Sequence, residues 1–282
     1  LSSNIALARV LLRGLAAGLL GCAAFWPMAS AAPAPAIPIF STTEFGWIAQ
    51  SPNYQLPPSG PHHVTQHPDH PWKAAGRGEA PMWRIADFDN PILQPWARES
   101  LKKNNERILA GGTGYTRQVS CWPMGTPAFL LYPAQPLYFI QTPKKVTIIA
   151  QMDQQVRHVY LNVPHSEVIK PSYYGESVGH YEGDTLIVDT IGVDATKTWV
   201  DNFRTPHSDK LHVVERFKIT DGGKNLQVDL HVEDEGAYTM PWNAVQRYDR
   251  ADQEFVEAVC AENNPLQLGQ LDPMPEAKAP DF

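Results

Sequence analysis

The chain has 282 residues, 23 basic and 30 acidic, a formal charge of −7, and 19% charged against 43% hydrophobic side chains. This is globular composition, and it excludes both a disordered polyelectrolyte and a basic nucleic-acid binder.

The first stretch carries targeting signals. Arg9 and Arg13 form a positive n-region, Gly14 to Trp26 is an apolar run too short for a membrane span, and Ala29-Ser30-Ala31 fits a small-x-small cleavage signal. Residues 1–31 are therefore expected to be a signal peptide, and the protein periplasmic or secreted. Leu19-Leu20-Gly21-Cys22 loosely resembles a lipoprotein box, which would instead make Cys22 a lipid anchor. Removing residues 1–31 leaves two cysteines, Cys121 and Cys260. In an oxidising compartment such a pair is most simply one disulfide, here closing a loop of about 140 residues. Two buried thiols are the other reading.

Residues 32–90 are rich in proline, histidine and polar residues and read as an extended arm, with Phe45-Gly46-Trp47-Ile48 as a first strand. The Pro91–Leu109 stretch holds one helix, in which Trp96, Ala97, Leu101, Ile108 and Leu109 share a face and Gly111-Gly112 forms the stop. From Ala128 onward short β runs alternate with turns: 129–132, 137–141, 146–152, 156–163, 177–181, 185–193, 211–220, 226–233, 242–248 and 254–259. Glu182-Gly183-Asp184 and Asp221-Gly222-Gly223 join consecutive runs, which implies antiparallel hairpins. No long helix separates the strands, so parallel βαβ order is excluded. The expected fold is an all-β, mainly antiparallel barrel with one peripheral helix and an N-terminal arm, spanning residues 91–270 before a loose tail at 271–282.

Charge on apolar strand faces marks candidate chemistry. Glu215 falls among Leu211, Val213, Phe217 and Ile219, and Arg157 shares a face with Val159, Leu161 and Val163. A buried ion costs several kcal/mol unless it is paired, so Arg157 and Glu215 are expected to meet each other or a ligand. His180 and Asp189 lie on the two arms of one hairpin. A turn at Gly183-Asp184 pairs Glu182 with Thr185 and His180 with Ile187, leaving Asp189 diagonal to His180. That geometry permits a His–Asp bond suited to acid/base chemistry.

His207-x4-His212-x2-Glu215 and His62-His63-x3-His67-x2-His70 supply zinc or copper ligand types, but alternation puts His212 and Glu215 on opposite faces. The second tract reads as surface histidines of the arm. No P-loop, dinucleotide fingerprint or zincin helix is present.

Several motifs form one series: Asn90-Pro91-Ile92-Leu93, Cys121-Trp122-Pro123, Ser177-Val178-Gly179-His180-Tyr181-Glu182-Gly183-Asp184-Thr185-Leu186, Thr205-Pro206-His207-Ser208, Pro241-Trp242 and Cys260-Ala261-Glu262-Asn263. The series resembles a large family of uncharacterised secreted bacterial proteins over residues 90–264, which implies a secreted single-domain protein. Gly46-Trp47 before a meander of strands is similar to the opening of lipocalin-like barrels, although the lipocalin G-x-W spacing is absent. That likeness implies an apolar cup with polar groups at its floor.

The functional expectation is an extracytoplasmic acid/base enzyme, of lyase, isomerase or hydrolase type, acting on a small apolar or aromatic molecule without an organic cofactor. Glu215 or His180 moves the proton, Arg157 holds an oxygen and Asp189 orients the histidine. Tyr173, Tyr174, Trp199, His207, His212 and Trp242 line the pocket. The alternative is a non-catalytic binding protein with the same cup.

Overall fold

The computed structural model describes residues 37–71, 84–112, 122–131, 135–151 and 155–256. The signal peptide expected over residues 1–31, Cys121 and Cys260 with the disulfide expected between them, and the tail from residue 271 lie outside the described residues.

Nine strands close into one barrel in chain order: β1 (Gly46–Ala49), β2 (Leu137–Gln141), β3 (Lys145–Ala150), β4 (Gln155–Leu161), β5 (Glu176–Glu182), β6 (Thr185–Ile191), β7 (His212–Thr220), β8 (Asn225–Glu233) and β9 (Trp242–Ala251). Neighbours are antiparallel throughout except β4 and β5, which run parallel with Val159 beside Ser177 and Leu161 beside Gly179. The barrel is thus mainly antiparallel and lipocalin-like, as the strand pattern implies. The turn at Gly183-Asp184 sets the expected register, Glu182 on Thr185 and His180 on Ile187. Gly183 supplies the left-handed φ of +63° that this tight turn needs.

Alternation sorts the side chains. Val213, Glu215 and Phe217 of β7, Leu226, Val228, Leu230 and Val232 of β8, and Arg157, Val159 and Leu161 of β4 are buried, while the intervening residues face outward. Phe139 and Phe217 meet edge-on inside the barrel, 5.8 Å between centroids.

Two expected strands take other forms. Residues 128–131 form a fully buried 3-10 turn, Ala-Phe-Leu-Leu, rather than a strand. This turn plugs the barrel: the Leu130 carbonyl accepts from Gln246 Nε2 at 3.2 Å and from the Tyr248 hydroxyl at 2.7 Å, both on β9. Residues 254–256 lie past β9 without strand pairing, and Phe255 packs edge-on against Tyr138.

α1 (Pro95–Leu109) starts with proline in its first turn and buries Ala97, Leu101, Asn105 and Ile108. Trp96 and Leu109 are about half exposed instead of joining that face, and the Trp96 indole donates to the Gly236 carbonyl at 2.7 Å. Asn105 exchanges two hydrogen bonds with the Ala86 backbone, at 3.0 and 2.8 Å, which ties the helix to the arm.

The arm completes the barrel wall. β1 pairs with only the last part of β9, from Tyr248 to Ala251, and touches β2 at one pair, Trp47 and Leu137. The upper edge of β9 is left to the following chain: Gln50 donates to Arg247, Gln55 and Val245 exchange two bonds, Asn243 donates to Pro61, and His63 donates to Asn243. This route carries Tyr54 and His63 to the mouth of the barrel beside Trp242.

Candidate functional site

The sequence-derived candidates divide among three places. Inside the barrel, Arg157 and Glu215 meet and are fully buried. Arg157 Nη1 donates to Glu215 Oε1 at 2.8 Å and Nη2 to Oε2, so the pair is bidentate. Arg157 Nε also donates to the Ser177 hydroxyl at 3.1 Å and Nη2 to the Thr190 hydroxyl at 2.8 Å. Such an arrangement fixes register across β4, β5, β6 and β7 and engages both Glu215 oxygens with one cation.

On the outer face, His180 is exposed and bonds Glu182 at 3.1 Å rather than Asp189. Asp189 instead serves two other imidazoles: His165 Nε2 at 3.1 Å and His212 Nε2 at 3.0 Å, both on Oδ1. The pattern continues in both directions. His165 Nδ1 reaches Glu176 at 3.0 Å, His212 Nδ1 reaches Glu233 at 3.3 Å, His231 Nε2 reaches Glu233 at 3.1 Å, and His231 Nδ1 reaches Asn243 at 2.8 Å. Imidazoles and carboxylates therefore alternate in one row from the loop before β5 across to β9. The hydrogen bonds of Ser166, and then of His165, hold the Glu176 carboxyl below its usual range, and those of His231 and His212 do the same for Glu233.

A groove of about 390 Å³ lies beside this row, lined by Val163, Val178, Ile187 and Val214 with His180 and Asp189 among its walls. A second, of about 450 Å³, is lined by Lys210, His212, Glu233, Tyr238 and Met240. His212 and Asp189 form the partition between them. Among the described residues no group of three or more histidine, cysteine or acidic side chains is placed to hold a metal ion.

The third place is the barrel mouth. His207 is buried, with Nδ1 against the Ser208 carbonyl at 2.8 Å and Nε2 against the Thr198 hydroxyl at 2.7 Å, and burial lowers its pKa. It holds the long connection between β6 and β7 together. Tyr174 stacks edge-on with Phe129 of the plug and donates to Gln155 Oε1. Tyr173 lies under the Lys197 ammonium, 5.7 Å from the ring centroid, and Trp199 is half-buried in the same connection.

Trp242 is 1% exposed and packs among Tyr54, His63 and Tyr238 at centroid distances of 6.4, 6.3 and 5.9 Å. His63, expected at the surface, is 2% exposed between the Tyr54 and Trp242 rings. Burial first, and the neighbouring His62 second, lowers its pKa to about 4.

Asp201, on the β6–β7 connection, caps this region from behind. It accepts from the backbone N–H groups of Phe203 at 2.9 Å and Thr205 at 3.0 Å and from the Thr205 hydroxyl at 2.6 Å. Burial nevertheless pushes its pKa up to about 6. The Tyr54 hydroxyl donates to the adjacent Val200 carbonyl at 3.1 Å.

No protein-family profile matches the chain, and no curated protein does. Among solved structures, a chain titled "REP1-NXSQ fatty acid transporter" is similar at 12% identity, over 50% of this chain and 90% of that one, with a TM-score of 0.27. A likeness that slight carries no argument about this chain, and the fold stands on the strand pairing described above.

Proposed function

We propose that the protein is an extracytoplasmic binding protein that shelters a small apolar or aromatic molecule at the mouth of its barrel, without an organic cofactor. One observation carries this reading: the aromatic cluster of Tyr54, His63, Tyr238 and Trp242, four rings packed on one another where the arm replaces β1 along β9. Aromatic walls with few polar contacts are the usual lining of a small-molecule site. The cover is a separate run of chain hydrogen-bonded to one strand edge, so it can lift without unpairing the nine-strand ring. The leader-like residues 1–31 support the compartment.

Native mass spectrometry of the full chain, purified without denaturation, tests the reading together with calorimetry against small aromatic probes. Retained mass or measurable heat that is lost in Trp242→Ala is expected. No adduct and no heat with any probe would refute it.

A second reading, acid/base catalysis, draws on the partition between the outer grooves, where His165 and His212 share Asp189. A carboxylate orienting an imidazole beside an apolar groove is a general-base arrangement. In that case His212→Gln would abolish turnover while binding at Trp242 persisted.

A further inference from the structure

The outer imidazole–carboxylate row leaves one acceptor unused. Glu176 receives His165 and the Ser166 N–H on Oε1, at 3.0 and 2.7 Å, and the Ser166 hydroxyl on Oε2 at 2.6 Å. Glu233 receives His231 on Oε1 at 3.1 Å and His212 on Oε2 at 3.3 Å. Asp189 takes both of its imidazoles, His165 and His212, on Oδ1. Its Oδ2 accepts from no described residue, although the side chain forms part of the wall of the groove of about 390 Å³.

The strands explain the groove. β4 ends at Leu161 beside Gly179, and the chain continues through Asn162, at a left-handed φ of +58°, into Val163. Beside that seam the outward side chains of β5, β6 and β7 form an apolar floor, Val178, Ile187 and Val214. Register sets Asp189 directly between Val178 on β5 and Val214 on β7. Ile187 points outward yet is only 5% exposed, a measure of how deep the floor lies. An apolar floor with one placed polar group is the usual make-up of a small-molecule site.

Charge selects the occupant. Among the lining residues Asp189 carries the fixed charge, and His180, bonded to Glu182 at 3.1 Å, is the titratable one. The Arg216 guanidinium, across from Ile187 on β7, is engaged by Glu182 at 3.2 Å. Even with His165 and His212 both protonated, Glu176, Asp189 and Glu233 leave that stretch of the row one negative charge in excess. An ionised carboxylate oxygen only accepts, so the incoming group must donate, and a cationic donor makes a bond roughly twice as strong as a neutral one. A carboxylate would bring like charge and no proton.

We propose that this groove is a second binding site, separate from the aromatic cluster at the mouth, for a small apolar amine. The ammonium donates to Asp189 Oδ2, and the hydrocarbon lies on Val178, Ile187 and Val214. The site goes beyond the binding function proposed above and needs no reaction at the partition.

Calorimetry of the full chain near pH 7.5 tests it with three probes of one size: cyclohexylmethylamine, cyclohexylmethanol and cyclohexanecarboxylate. The δ1-methyl resonance of Ile187, assigned by its loss in Ile187→Val, reports the groove, and the indole N–H resonance of Trp242 reports the mouth. The amine is expected to bind about tenfold more tightly than the alcohol, to shift the Ile187 methyl and to leave the indole unmoved. The carboxylate should bind more weakly still. Asp189→Asn should weaken the amine about tenfold. Val214→Lys, which tethers an ammonium beside the same carboxylate, should block the amine with Asp189 still in place.

Alcohol or carboxylate binding as tight as that of the amine overturns the proposal, as does unchanged amine affinity in Asp189→Asn or Val214→Lys. Amine binding that moves the Trp242 resonance alone places the amine at the mouth, which overturns the groove and leaves the function proposed above standing. No heat and no Ile187 shift at millimolar amine overturns the groove by itself, without touching the reading of the mouth.

Discussion

Arg157 and Glu215 join β4 to β7 through the barrel lumen by a two-pronged ion pair with no exposed surface. Because the desolvation cost of both ions is met only by their mutual contact and by Ser177 and Thr190, removing one partner strands the other. Arg157→Leu or Glu215→Leu alone should cost about 3–5 kcal/mol, whereas the double replacement should come close to wild type. Urea denaturation of the three variants measures the coupling. Additive losses would show that the two side chains do not act as a unit.

Asp201 and His63 titrate in opposite senses. Asp201 has a folded pKa of about 6 against 3.8, so its contribution is present in full below about pH 4 and is lost as pH rises through 6. His63 has a folded pKa of about 4 against 6.5, so its contribution is present in full above pH 6.5 and is lost as pH falls through 4. Each amounts to about 3 kcal/mol, and across pH 4 to 6.5 they offset one another. Asp201→Asn should therefore leave a protein that loses stability toward acid, and His63→Phe one that gains it. Chemical denaturation at half-unit pH steps decides; variant profiles parallel to wild type would contradict both assignments.

The outer imidazole–carboxylate row is exposed enough for water and salt to screen it. The Glu233 carboxyl, held low by His231 and His212, contributes stability above its unfolded value of 4.5 and loses it as pH falls below. With side chains at this face 33–50% exposed, Glu233→Gln should cost less than about 1 kcal/mol at neutral pH. The loss should shrink further in 1 M salt. A cost that is large and independent of salt would mean the row is better shielded than its exposure implies.

Gly179 sits at the parallel seam between β4 and β5, with its partner Leu161 across the joint. A Cβ there would lie 2.5 Å from the Ile187 carbonyl and 2.9 Å from a Val159 methyl. Gly179→Ala should destabilise by about 1–3 kcal/mol through overpacking. Thermal melting checks this, and an unchanged melting temperature would show that the seam can spread.

The alternation of apolar and polar residues was enough to read most strands and to expect that Arg157 and Glu215 meet each other or a ligand. It was not enough for residues 128–131: a short apolar run reads as a strand, yet Ala128 to Leu131 are buried on every side because they form a plug. Register explains the uneven reading of the outer site. The tight turn at Gly183 fixes how β5 meets β6, so the diagonal placement of Asp189 and His180 was legible. The connection from Ile191 to His212 is long and fixes nothing, so the contact of Asp189 with His212 had no sequence signal. His63 was misplaced for a related reason: composition marks the arm as polar, and only its pairing with β9 shows which of its histidines turns inward.

The ring is closed by a pairing between the two ends of the barrel sequence, Gly46 against Ala251 and Ala49 against Tyr248. A joint of that kind has a high loop-closure entropy and no local substitute, since the hairpins from β5 to β9 can zip early while β1 must wait for the last strand. Until then β9 offers an unpaired edge, the same edge that the arm later covers from Gln50 to His63. The slowest folding event and the most vulnerable to aggregation is therefore the arrival of the N-terminal chain on β9, and the segment that shelters the mouth is also the one that ends the exposure.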